Sequence, residues 1–226
     1  MMTNVFIISA PSGSGKSTLV SRIRRSLPNL EFSISYTTRP KRGVEQNGRE
    51  YFFVSRNEFE DMIRKDEFLE HADVFGNYYG TSRSFLHKAE QQGKDLLLDI
   101  DVQGAAQIKE MLPEAISTFI LPPNRAELEQ RLRSRGQDAM EVIQKRLDAA
   151  TREIENYDKY DYILVNDHLD DSVKALEAIL LSERQKRAGN LDVNLTALAE
   201  PCRLGNVRDR LEPILQSFRA VAAGRK

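Results

Sequence analysis

At 226 residues the chain fits one domain with insertions, or a domain and a tail, and it is long enough to bury a substantial core. Its 33 basic and 34 acidic residues leave a net charge of −1, which argues against a general binder of nucleic acid or membrane surfaces; any anion must be held by a local cluster. The lone cysteine, Cys202, excludes an internal disulfide and a cysteine-built zinc site, and no apolar run approaches the ~20 residues of a bilayer span, as suits the reducing cytoplasm.

Met1 to Asn4 lead straight into the first apolar stretch, which leaves no room for a signal peptide. Val5 to Ser9, apolar and partly β-branched, predict a short buried strand. Ala10, Pro11, Ser12, Gly13, Ser14 and Gly15 cannot continue it, and from Lys16 onward Leu19, Ile23 and Leu27 recur on one helical face. Strand, glycine-rich loop and helix make the setting of a phosphate-binding loop, whose N–H groups and helix start favour an anion at one spot. Lys16 brings a positive charge to the outer phosphates, Ser17 can place a hydroxyl on a magnesium ion, and Thr18 follows in the first turn. The pattern G-x-x-x-x-G-K-[ST] is missed at one residue, Ala10, whose extra methyl the turn tolerates if its φ is negative.

Pro28-Asn29 marks a turn. Phe32 to Thr38 and Tyr51 to Val54 read as strands around a polar loop, an antiparallel excursion within an α/β chain. Ser55 begins a helix with Phe59, Met62 and Ile63 inward; 68–82 is another extended piece, and Ser84 to Gln92 a helix ending at Gly93. Lys94 to Asp101 predicts a second buried strand with Asp99 and Asp101 at its C-terminal end, the edge where open α/β sheets take ligands. Gln103 to Leu112 is a helix and Ala115 to Leu121 a strand. Asn124 caps a helix through Arg135, and Gly136 breaks it. Asp138 with Glu141 starts the next helix, with an apolar stripe of Met140, Ile143, Leu147, Ala150 and Ile154. Tyr162 to Val165 is the last buried strand, Asn166-Asp167 a turn, and Leu169 to about Lys186 a closing helix. Buried strands alternating with helices predict an α/β fold, a parallel sheet with helices on both faces. Farther on, Leu204, Val207, Leu211, Leu215 and Phe218 recur at helical spacing, with Pro213 as a kink or restart. Packing on the domain surface is the plain reading of that helix, and self-association into a homo-oligomer is the alternative.

The segments APSGSGKST, SYTTRPKR, GREYFFV, FLEHADVFGNYYGTS, DIDVQGA, RLRSRG, KRL and VND, in this order, resemble guanylate kinases of the bacterial type over roughly residues 3–185. The resemblance implies a P-loop nucleoside monophosphate kinase fold: a core, an inserted mixed-β GMP-binding region at about 33–88, a helical lid at about 125–155, and a C-terminal helical extension at 186–226. It implies transfer of the γ-phosphoryl group of ATP to GMP with Mg²⁺, residues 10–18 holding ATP and Asn166 touching its adenine. It puts Arg39 and Arg42 on the GMP phosphate with Tyr51 and Tyr79, and makes Arg131, Arg135 and Arg146 lid arginines. For guanine it assigns Glu70 as acceptor, with Ser35 and Thr81 as hydroxyl partners. Asp101 then meets the guanine site, and Asp99 the phosphate or magnesium region.

The chemistry agrees. Joining two phosphates is mostly positioning and charge cancellation, and the acceptor phosphate, with a second pKa of about 6, needs no strong base. His71, His87 and His168 read as surface or structural residues, whereas a guanidinium forks onto two phosphate oxygens and keeps its charge. Arg131 and Arg135, four apart, share a helix face. Two alternatives stand beside this reading. One is the same fold with AMP or a pyrimidine monophosphate as acceptor. The other is a non-catalytic protein-binding module, against which Gly13, Gly15, Lys16 and Ser17 all speak.

Overall fold

The computed structural model describes residues 3–74, 76–134 and 139–223. The first strand, β1 (Val5–Ser9), is buried throughout and ends at the glycine loop, from which α1 (Lys16–Ser26) starts at Gly15 in the left-handed region. Asn29, at φ +60°, turns the chain into β2 (Leu30–Phe32). The single strand expected from Phe32 to Thr38 is in fact broken, because Ser33 gives both its N–H and its hydroxyl to the Leu97 carbonyl and the chain then leaves for a second sheet at β3 (Tyr36–Thr37). The expected strand at 51–54 shrinks to β4 (Phe52–Phe53) and pairs with β3 in parallel rather than antiparallel. Phe52 and Val54 donate to the carbonyls of Ser35 and Thr37, which fixes that direction.

Ser55 caps α2 (Arg56–Arg64) in a reciprocal capping box with Glu58. The extended piece that follows is a hairpin of β5 (Phe68–Val74) and β6 (Asn77–Ser82), with Gly76 at φ +81° permitting the reversal. Then come α3 (Arg83–Gln92), β7 (Asp95–Asp99), α4 (Val102–Met111), β8 (Ile116–Leu121) and α5 (Arg125–Ser134). Asn124 caps α5 as expected, its Oδ1 accepting the Glu127 N–H at 2.8 Å. The expectations placed on Arg135, Gly136 and Asp138 lie outside the described residues. In α6 (Met140–Ile154), which starts at Ala139, the stripe is buried from Ile143 to Ile154, but Met140 is 55% exposed in the first turn, above the packed part of the helix. The chain closes with β9 (Tyr162–Val165), α7 (Leu169–Arg187), α8 (Val193–Ala199), a 3₁₀ turn at Glu200–Cys202 and α9 (Arg208–Ala223).

The chain divides into two compact units: Met1–Ile7 with Pro28–Ala115, and Ile8–Leu27 with Ile116–Lys226. β1 begins in the first and ends in the second, within a five-stranded sheet of order β2-β7-β1-β8-β9. In the first unit β2 pairs with β7 in parallel, and Leu96 donates to the Asn4 carbonyl at 2.8 Å. That unit also holds the mixed sheet β4-β3-β6-β5, packed around Phe59 and Phe68, whose rings stack at 4.4 Å. In the second unit β8 pairs with β9 in parallel. Its C-terminal helix α9 runs unbroken through Pro213 and buries Leu211, Ile214, Leu215 and Phe218, with Val207 buried just before it, which favours the plain reading of that stripe. Ser217 on α9 accepts the Arg125 N–H at the start of α5, at 3.1 Å. Cys202 is buried as an apolar filler.

Candidate active site

In the first unit, the turn after β3 gathers cations. Arg39 is buried, donates to Glu45 Oε1 at 2.9 Å and to the Pro40 carbonyl at 2.6 Å, and lies over the Tyr51 ring at 5.4 Å. Burial opposes its charge, but hydrogen bonds to Glu45 and Tyr79 outweigh that and leave its pKa raised. The bond from Arg39 holds the Glu45 carboxyl below its ordinary value against the opposing effect of burial. Glu45 Oε2 also accepts the Arg42 N–H at 2.8 Å, while the Arg42 side chain is exposed. Tyr51 and Tyr79 meet edge to face at 5.8 Å. Arg39, Tyr51 and Tyr79 thus come together, with Arg42 joined to them through its backbone on Glu45. Sequence reasoning missed Glu45, which holds the Arg39 guanidinium and the Arg42 backbone; its only signal was an acidic residue three places past Arg42.

Beside it, the β5–β6 hairpin sets Glu70 opposite Thr81. Glu70 is 5% exposed, and Thr81 donates its hydroxyl to Glu70 Oε1 at 2.6 Å. Burial pushes the Glu70 pKa up to about 7; the Thr81 hydrogen bond works against this and the nearby Asp101 adds to it. Asp101 also caps α4, its Oδ1 accepting the N–H groups of Gln103 at 3.1 Å and Gly104 at 2.9 Å. Gly104 was likewise not foreseen: a Cβ there would stand 2.5 Å from Glu70 Oε2, so the carboxylate lies over bare backbone. Asp99 ends β7, and Ser35 contributes its carbonyl to Phe52, with its side chain half-buried. Of the residues expected at the base, the structure thus brings Glu70, Thr81 and Asp101 together.

In the second unit, the loop closes with Ser14 N–H on the Pro11 carbonyl at 3.1 Å. Gly13 and Gly15 take φ of +96° and +91°, which a side chain would strain. Among the described residues only Asn29 and Asp66 are non-glycines with positive φ, so Ala10 meets the condition set for it. Lys16 opens α1, Ser17 and Thr18 are exposed beside it, and the first turn holds no acidic residue to compete with an anion. Arg146 on α6 donates to the Ser12 hydroxyl, at 2.7 Å from Nη2 and 3.2 Å from Nε. Arg131 on α5 is held by Glu127 at 2.8 Å and donates to the Asn166 carbonyl at 3.1 Å. Asn166 is buried, with its side-chain amide on the Ser14 carbonyl at 2.7 Å. His71, His87 and His168 are all exposed.

The family model described as guanylate kinase matches residues 2–183. A guanylate kinase of Koribacter versatilis is 55% identical over 226 residues, 97% of either chain. One from Escherichia coli K12 is 50% identical over 182 residues, covering 80% of this chain and 88% of its own. The crystal structure of guanylate kinase from Anaplasma phagocytophilum superposes with a TM-score of 0.64 at 32% identity, covering 93% of this chain and 94% of that one.

Proposed function

The chain belongs to the guanylate kinase family, and on that premise we propose that the site of the first unit takes GMP and the loop of the second takes ATP. The enzyme transfers the γ-phosphoryl group of ATP to GMP, giving ADP and GDP. Arg39 and Arg42, with Tyr51 and Tyr79, hold the GMP phosphate. Glu70 accepts from N1–H and the 2-amino group of guanine, Ser35 and Thr81 supply hydroxyls, Asp101 borders the base, and Asp99 faces the phosphate or magnesium region. Residues 10–18, with Lys16, hold the ATP phosphates, and Arg131, Arg135 and Arg146 neutralise the transferring group. Residues 3–185 are the catalytic part, with a GMP-binding region at 33–88 and a lid at 125–155. Residues 186–226 form an extension, and the enzyme works in the cytoplasm.

Repulsion between two polyanions is the main barrier, so fixed cations do most of the work. The acceptor phosphate is already largely deprotonated at neutral pH, which leaves the exposed histidines no part to play. The donor set also fits Mg²⁺. Ser17 offers an exposed hydroxyl at the loop exit, and among the described residues no three His, Cys, Asp or Glu side chains cluster to hold a metal alone. An ion held at Ser17 would take its other oxygens from nucleotide phosphates and water. Bound there, it cancels charge on the outer phosphate oxygens.

The observation that carries the choice of acceptor is the buried Glu70 carboxylate bonded to Thr81. Adenine would leave it unpaired, a loss on the order of 10⁴-fold. An ADP-release assay over GMP, AMP, UMP and dTMP tests this. Strong turnover is expected with GMP alone, and comparable turnover with AMP would overturn the assignment.

A further inference from the structure

We propose that Gln107 is a positioning residue for guanine selection: its side-chain amide clamps the backbone beside Glu70 and so sets that carboxylate against α4. The inference rests on Glu70 accepting from the base, as proposed above. β5 is the outer strand of the mixed sheet, so peptide groups facing away from β6 have no strand to pair with. At His71 they pair with a side chain instead. Gln107 Oε1 accepts the His71 N–H at 3.2 Å, and Gln107 Nε2 donates to the His71 carbonyl at 2.9 Å. Both ends of the amide are thereby used, and the bonds fix its orientation. The strand needs steadying at this point. Phe68 pairs with Ser82 and Glu70 with Thr81, which leaves Leu69 over as a bulge. A bulge interrupts the ladder and re-aims the side chain next to it. Gln107 lies three residues after Gly104, on the same face of α4. Helix α4 therefore meets β5 at two neighbouring points: Gly104, where a Cβ would collide with Glu70 Oε2, and Gln107 on the His71 backbone. The same helix is capped by Asp101, whose charge acts on Glu70. One amide thus fixes the spacing between the helix-borne Asp101 and the strand-borne Glu70.

A carboxylate that takes both N1–H and the 2-amino group must meet two donors at once, whereas hypoxanthine, the base of IMP, lacks the 2-amino group and asks for one. Loosening the clamp should therefore penalise GMP more than IMP, a bias that a general loss of stability does not produce. Steady-state kinetics with GMP, IMP and ATP, all with Mg²⁺, are to be measured for the parent, Gln107→Met, Gln107→Ala and Glu70→Gln, beside thermal scans. Both Gln107 variants should raise KM for GMP on the order of tenfold, raise KM for IMP less, and leave KM for ATP and kcat unchanged. Equal rises for GMP and IMP would overturn the proposal, and so would a lower Tm with KM for GMP unchanged. Loss of folding in both variants would make the clamp structural only and overturn it equally. If instead Glu70→Gln keeps the parent's KM for GMP and its preference over IMP, the reading of the base site has failed and the proposal falls with it.

Discussion

Glu70 sets stability against use. Its ordinary pKa of 4.5 rises to about 7 in the folded chain, chiefly through burial. Between these values the folded state keeps a proton that the unfolded chain has released, so stability falls as pH rises from about 4.5 to 7. Above that window the carboxylate withholds ~3 kcal/mol. Glu70→Gln should therefore melt higher than the parent at pH 8 and alike at pH 4, in thermal scans monitored by circular dichroism. The same variant should bind GMP far more weakly and ATP as before; equal losses for both would remove Glu70 from base recognition. With the ionised carboxylate as the proposed acceptor, GMP affinity of the parent should climb as pH passes through 7. Gly104→Ala attacks the same carboxylate from below, its methyl standing 2.5 Å from Oε2. Alanine gains about 1 kcal/mol of helix propensity over glycine. A raised KM for GMP with an undiminished Tm is the expected pair of results.

At the scale of elements, Asp101 has two employments, and they can be separated. As the cap of α4 it accepts two backbone N–H groups, a service asparagine performs nearly as well. Asp101→Ala should cost about 1 kcal/mol in urea unfolding and Asp101→Asn much less. An equal loss of GMP affinity in both variants would show that the charge, not the cap, meets the nucleotide. Caps, the glycine loop and the buried strands were legible in the sequence because each is written in neighbouring residues: Ser55 with Glu58, Asn124 with Glu127, Leu96 to Leu98. The break within 32–38 was not, since it depends on Ser33 finding the Leu97 carbonyl, more than sixty residues away. The same holds for the parallel pairing of β3 with β4 and for Glu45, whose partner is chosen by the turn and not by local composition. Asn166 read as a turn residue, and its place beneath Ser14 is likewise a fact of tertiary structure.

For the whole molecule, the last forty residues belong to the second unit alone. Arg203 binds Glu183 at 2.7 Å and covers the Tyr162 ring, while α9 buries Leu211, Ile214, Leu215 and Phe218. Truncation after Arg187 should thus lower the Tm by on the order of 10 °C. GMP binding at low temperature, read by calorimetry, should persist, since the residues proposed to hold GMP belong to the other unit. Another consequence lies where Gly13 rests on Leu128 and Leu132, with no space between them for even a methyl group. Two apolar side chains resting on bare main chain would lose that dispersion contact if they were drawn away. Helix α5 therefore sits directly on the glycine turn, and any side chain added at Gly13 would push on the helix that carries Arg131.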